Sequence, residues 1–133
     1  AQNELGRMYG FGEGVPQNDK EAVKWHRKAA EQGDAFGQLA LGWMYAIGSG
    51  VQEDDKEAVK WFRIAARAGH PGSQNVLGTM YERGETVNVD MARAYFWYTL
   101  AAGNGNTEAG HNRSKLKEKL GTDELRHIGD ALE

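Results

Sequence analysis

Cysteine is absent from the 133 residues, which removes disulfide frameworks, thiolate metal sites and cysteine nucleophiles from consideration. The compartment stays open, because a disulfide-free protein survives in either redox state. With 2 prolines against 18 glycines the chain is not collagen-like. An excess of positive charge is also missing. Sixteen Lys and Arg against 19 Asp and Glu give a net charge of -3, so no overall positive field draws the chain to nucleic acid or anionic lipid. No apolar run approaches the roughly 20 residues of a membrane-spanning helix, so no membrane insertion is expected. The opening Ala1-Gln2-Asn3-Glu4-Leu5 has neither an n-region nor an h-region, and any targeting signal is expected to have been removed or to have lain upstream.

What is present is enough apolar material, 40% of residues, to bury a core of single-domain size. That material repeats. A shift of 36 residues lays Leu5-Gly6-Arg7-Met8-Tyr9 on Leu41-Gly42-Trp43-Met44-Tyr45 and on Leu77-Gly78-Thr79-Met80-Tyr81. Residues 5 to 33 match 41 to 69 at 18 of 29 positions, and residues 77 to 105 match them at 12 of 29. The positions shared by all copies include a loop Gly, Val15, Val51 and Val87, Ala22, Ala58 and Ala94, and Trp25, Trp61 and Trp97. These are packing residues. The period places repeat 1 at about 1–33, repeat 2 at about 34–69, repeat 3 at about 70–105 and a C-terminal cap at about 106–133, all in one solenoid domain.

Each unit reads as two antiparallel helices, A and B. Asn18 with Glu21, and Asp54 with Glu57, have capping-box spacing at the start of helix B, with Asp90 at the third matching site. Gly33, Gly69 and Gly105 stand where a left-handed residue closes each B helix. Gly6, Gly42 and Gly78 on helix A are expected to face Ala22, Ala58 and Ala94 on helix B and let the backbones approach. Tyr9, Tyr45 and Tyr81 with the three Trp then supply ring area that one hairpin cannot bury alone, so the units are stable only as arrays.

The run Leu41-Gly42, Tyr45, Gly48, Gly50-Val51, then Asp54, Ala58, Trp61, Ala65-Ala66 and Gly69 resembles the Sel-1-like repeat (SLR) family, tetratricopeptide-like α-solenoids, and the likeness covers roughly residues 1 to 105. The resemblance implies an all-α fold, a right-handed α-α superhelix of helix-loop-helix repeats with a C-terminal capping helix pair. It also implies a non-enzymatic adaptor that binds other proteins, often bacterial and frequently exported or periplasmic, while the residues themselves do not exclude a cytoplasmic place. The third copy departs from the pattern. Thr86 replaces the second loop Gly and Met91 stands where Asp19 and Asp55 stand, so that loop is expected to bend differently.

The ends differ from the middle. Ala1 aligns with Gly37, so copy one looks cut from a longer array, with a stacking face at residues 1–11 open to self-association. Thr107 to Leu120 places Arg113, Ser114 and Lys117 where Leu, Gly and Tyr should be, which reads as a polar cap. Thr122 then caps a last helix whose Leu125, Ile128 and Leu132 either fold back on the stack or dock on a neighbouring repeat or partner.

Chemistry finds no constellation. Gly10-x-Gly12-x-Gly14 invites a nucleotide-loop reading, but Gly48-x-Gly50 repeats it in structural register, which marks a turn. His26, His70, His111 and His127 never pair at i, i+4, and Glu108-x-x-His111 is half of a di-iron motif without its other half. His26 aligns with Phe62 and Tyr98 and is expected to be a partly buried spacer whose ring tip reaches solvent. Ser49, Ser73 and Ser114 lack a nucleophile elbow. No catalytic residue, metal ligand or cofactor is assigned, and a cell-envelope enzyme rests on no residue here.

Recognition is sought among the positions that vary between copies. By analogy with tetratricopeptide stacks, these line a concave face from helices A: Arg7 and Phe11 (with Asn3), then Phe36, Leu39, Trp43 and Ile47, then Asn75, Thr79 and Arg83. An apolar centre flanked by Arg7 and Arg83, with Asn3 and Asn75 able to bond a peptide backbone, suits an extended segment or a helix carrying an acidic residue. The competing reading is that Phe36, Leu39 and Ile47 merely pack on neighbouring A helices. Trp43, at a variable helix-A position where the other copies have Arg7 and Thr79, is not required by the repeat, so its loss is expected to weaken binding and leave stability nearly unchanged. The leading function is therefore a module for a protein or peptide ligand; the alternative is a structural segment of a longer solenoid.

Overall fold

The computed structural model describes the backbone of residues 2–132 apart from 13, 15 and 85, and the side chains of 5–121 with the same exceptions. The sequence expectations that rest on residues 1 and 15, and on the side chains of Asn3, Thr122, Leu125, Ile128 and Leu132, lie outside the described residues.

The described chain is helical, without strands. Helix A and helix B of the first copy are α1 (Gln2–Phe11) and α2 (Asp19–Glu31), of the second α3 (Ala35–Ile47) and α4 (Asp55–Arg67), and of the third α5 (Pro71–Arg83) and α6 (Met91–Gly103). A final α7 (Thr107–Leu132) is broken at Gly121, whose φ of 76° and ψ of 172° are not helical, next to the position where the cap Thr122 was expected. The fold class is the all-α solenoid of helix-loop-helix repeats. The chain divides into two compact units, Ala1–Ala68 and Gly69–Glu133. In the first, α1 packs on α2, α2 on α3 and α3 on α4; in the second, α5 packs on α6 and α6 on α7.

Side chains that take up unpaired first-turn N–H groups set the helix starts. Asn18 Oδ1 accepts from the Glu21 amide at 3.2 Å, Asp54 Oδ1 from Lys56 and Glu57 at 3.1 and 3.2 Å, and Asp90 Oδ1 from Arg93 at 3.0 Å. Only half of the anticipated capping box forms. The cap's own amide donates instead to the tyrosine carbonyl of the preceding helix A: Asn18 to Tyr9, Asp54 to Tyr45 and Asp90 to Tyr81, at 2.8, 2.9 and 3.0 Å. That bond closes each hairpin. The A helices have their own caps, which the sequence reading missed: Asp34 for α3, His70 through Nδ1 for α5 and Asn106 for α7.

Two expectations about small residues change. The helix-A glycines lie beneath rings, not beneath Ala22, Ala58 and Ala94. A Cβ on Gly42 would stand 2.6 Å from Phe62 Cε1, one on Gly78 2.5 Å from Tyr98 Cδ1 and one on Gly6 2.7 Å from His26 Nε2. His26 is thus no solvent-tipped spacer. It is buried like its counterparts Phe62 and Tyr98, and burial depresses its pKa, against the opposing pull of the Asp34 charge. The third loop also bends as the others do. Thr86 has φ of 68° beside 77° for Gly14 and 75° for Gly50, so a β-branched residue holds the left-handed position.

The unit cores follow. Val23, Ala30, Leu41 and Trp61 are buried together in the first, with Met44, Tyr45 and Val51 against them. Tyr81, Ala94, Tyr98, Ala101, Ala109 and Leu116 form the second. Each buried large side chain contributes on the order of 2 kcal/mol, and the Trp61 indole N–H is buried without a partner.

Candidate functional site

Residues 36, 40, 43 and 47 of α3 fall within about 60° of one another at 100° per residue. The same helix buries Gly37, Gln38, Leu41 and Gly42 on the opposite side. Packing of that buried side against α2 and α4 therefore turns Phe36, Ala40, Trp43 and Ile47 outward. Phe36 is 63% exposed, Trp43 47% and Ile47 68%, a large outlay of apolar area for consecutive turns of one helix. The helix carries no charged residue, and its N-terminus is closed by Asp34, which accepts from the amides of Phe36 and Gly37 at 2.9 and 3.3 Å. Leu39 lies half-buried at the edge of the row.

Trp43 does more than face outward. Its ring meets Phe62 edge-on, centroids 5.1 Å apart and planes at 68°, so it also braces the ring that covers Gly42. The expectation that its loss leaves stability nearly unchanged is corrected on this ground. On α1, in the same unit, Arg7 and Phe11 are exposed, Phe11 to 72%.

The three candidates of the third copy belong to the second unit and behave differently. Asn75 is buried, and its Oδ1 accepts from Asn112 Nδ2 of α7 at 3.0 Å. It is therefore a packing residue between helices, not an outward donor for a ligand backbone. Thr79 is half-buried, its Oγ1 donating to the Asn75 carbonyl at 3.2 Å and lying 3.2 Å from the Tyr98 hydroxyl. Tyr98 donates to Glu82 Oε1 at 2.8 Å. Burial, reinforced by that carboxylate, pushes the phenol up to about 12. Arg83 remains exposed. Ala40 completes the outward row of α3 and was missed; the i, i+4, i+7, i+11 spacing from Phe36 was the available signal.

A shallow hollow of about 420 Å³ lies in the first unit between Tyr45, Val51, Gln52, Glu53 and Asp54. Among the described residues no group of three or more His, Asp or Glu is placed to hold a metal ion, and no helix is long and apolar enough to cross a membrane.

Comparison with known proteins agrees with this architecture. The family model described as the Sel1 repeat matches residues 1–34, 35–70 and 71–106, one residue later at each internal boundary than the period suggests. A Sel1 repeat protein from Oxalobacter formigenes is similar over 84% of this chain and 46% of its own, with 38% identity and a TM-score of 0.82. A protective antigen of uropathogenic Escherichia coli displaying an SLR fold is similar over 81% of this chain and 23% of its own, with 44% identity and a TM-score of 0.78. This chain thus spans less than half the length of either. Cysteine rich protein B of Helicobacter pylori shares the fold at 24% identity, with a TM-score of 0.69 over 82% of this chain and 84% of its own. No curated protein matches. The repeated hairpins, their glycine-under-ring contacts and the model matches across all three copies place the chain in the Sel1 repeat family.

Proposed function

We propose that the chain acts as a non-catalytic adaptor that binds a partner protein through the outward face of helix α3, centred on Trp43. Sel1 repeats generally serve protein–protein interaction, and proteins of the family are typically non-enzymatic scaffolds. The single observation that carries the reading is the uncharged apolar row of α3. Residues there are released from the buried face, yet three of them are large and apolar. Arg7 and Phe11 on α1, and Arg83 and Thr79 on α5, are the further candidates from their own units.

The test is affinity for a partner protein in variants that alter the row. Trp43→Ala should weaken the complex by about 2 kcal/mol, as truncation of a central aromatic anchor does. Because Trp43 also touches Phe62, Ile47→Ser is the cleaner variant: its side chain is mostly exposed, so binding should fall while the melting temperature holds. Loss of melting temperature with unchanged affinity in both variants would return the row to a packing role.

A second reading, assembly through the first copy, has one observation in its favour, the exposed ring of Phe11. Light scattering across protein concentration tests it; a strict monomer removes it.

A further inference from the structure

The chemistry of the α3 row narrows what can lie on it, and the step below rests on the binding function proposed above. Phe36, Leu39, Ala40, Trp43, Ala46 and Ile47 make up the outward half of the helix, and the indole N–H of Trp43 is the only hydrogen-bonding side-chain group among them. An extended peptide presents an N–H and a C=O at every residue, and each needs a partner once water is displaced. This face has almost none to give, and Asn75, which sequence reading enlisted for that purpose, is occupied by Asn112. An α-helix satisfies its backbone internally and asks of the face only apolar contact.

Size and spacing agree. Phe36, Trp43 and Ile47 leave roughly 350 Å² exposed, well under the ~800 Å² per partner of a standard two-protein interface, so the row suits one helix better than a second copy of the chain. From Phe36 to Ile47 the row runs about 16 Å, three turns of an opposing helix. Ala40 is the small member of the row, between Phe36 and Trp43, whose backbones stand about 10 Å apart along the axis, two turns of an opposing helix. We propose that the occupant is an amphipathic helix of a partner protein, laid along α3 through an uncharged stripe with apolar residues at i, i+3 or i+4, and i+7.

Two displayed peptide libraries of roughly 15 residues, about four helical turns, would be selected on the whole chain, one held helical by side-chain staples and one unconstrained. Binders are then titrated against wild type, Trp43→Ala and Ile47→Asp, with circular dichroism of each variant to confirm its fold. The expected result is enrichment from the helical library of peptides with the stated spacing, weakened about 30-fold by either substitution. Binders sensitive to both substitutions that come only from the unconstrained library and lie extended would overturn the helix while leaving the binding function intact. If neither library yields a binder weakened by either substitution, both fall. A wild-type dimer dissolved by Ile47→Asp would give the row to a second copy and overturn the proposal.

Discussion

Gln38 and Gln74 occupy the same position in consecutive A helices, and only one of them is satisfied. Gln74 Oε1 accepts from Asn104 Nδ2 at 3.0 Å. Asn104 is the C-cap of α6, with φ of -93° and ψ of 12°. The matching C-cap of α4 is Ala68, with φ of -77° and ψ of -2°, which has no donor to offer, and Gln38 Oε1 is buried without a partner. Ala68→Asn should supply the missing donor. The backbone already has the conformation that Asn104 uses, and the C-cap lies outside the helix interior, so little helix propensity is lost. A net hydrogen bond to a previously orphaned buried acceptor is worth about 1 kcal/mol, which for a chain of this size raises the melting midpoint by about 3 to 5 °C. The assay is thermal and urea unfolding of four proteins: wild type, Ala68→Asn, Gln38→Leu and the double variant. Gln38→Leu gives up the bond from Nε2 to the Ala30 carbonyl, which still accepts from Gly33, and removes the acceptor that the introduced side-chain amide would serve. The gain from Ala68→Asn should therefore vanish in the Gln38→Leu background. A gain of equal size in both backgrounds, or none in the wild-type background, would refute the reasoning.

Further outcomes follow from the same contacts. Burial lowers the His26 pKa from 6.5, so the unfolded chain binds more protons just below that pH, and stability should decline as pH falls from about 6.5 toward the folded-state value. His26→Phe, which copies Phe62, should flatten that decline in urea titrations at pH 5 and 7.5; an equal slope in both proteins would contradict it. Thr86→Gly should stabilise by about 1 kcal/mol by relieving a left-handed conformation unsuited to a β-branched residue, read as a rise in melting temperature. Gly42→Ala should cost about 2 kcal/mol or more, because its Cβ meets Phe62 at 2.6 Å; an unchanged melting curve would show that the ring can move aside at no cost.

The repeat and the starts, ends and caps of the B helices were legible because they depend on short-range signals that recur in register: Asn18, Asp54 and Asp90, and the closing glycines; the A-helix caps Asp34, His70 and Asn106 do not recur as one residue type and were missed. The partner of each helix-A glycine was not. Whether Gly42 faces Ala58 or Phe62 depends on how two helices rotate about their axes, and a glycine is consistent with either. His26 shows the same limit, since its burial is set by that rotation and not by its own polarity. Thr86 was misjudged in the opposite direction, because loop geometry imposed from both ends overrode the local preference of the residue. Within the candidate site, variability between copies could not separate Trp43, which is half-exposed on α3, from Asn75, which is buried and bonded to Asn112 of α7. That distinction requires knowing what α7 packs on.

The claim that the outward row of α3 is the recognition surface is tested most directly by covalent footprinting of the chain with and without a saturating binder selected on wild type. Phe36, Trp43 and Ile47 should lose reactivity together, while exposed side chains of the B helices, such as Ile64 and Leu100, keep theirs. Protection confined to the B helices, with the α3 row still fully reactive, would contradict the account.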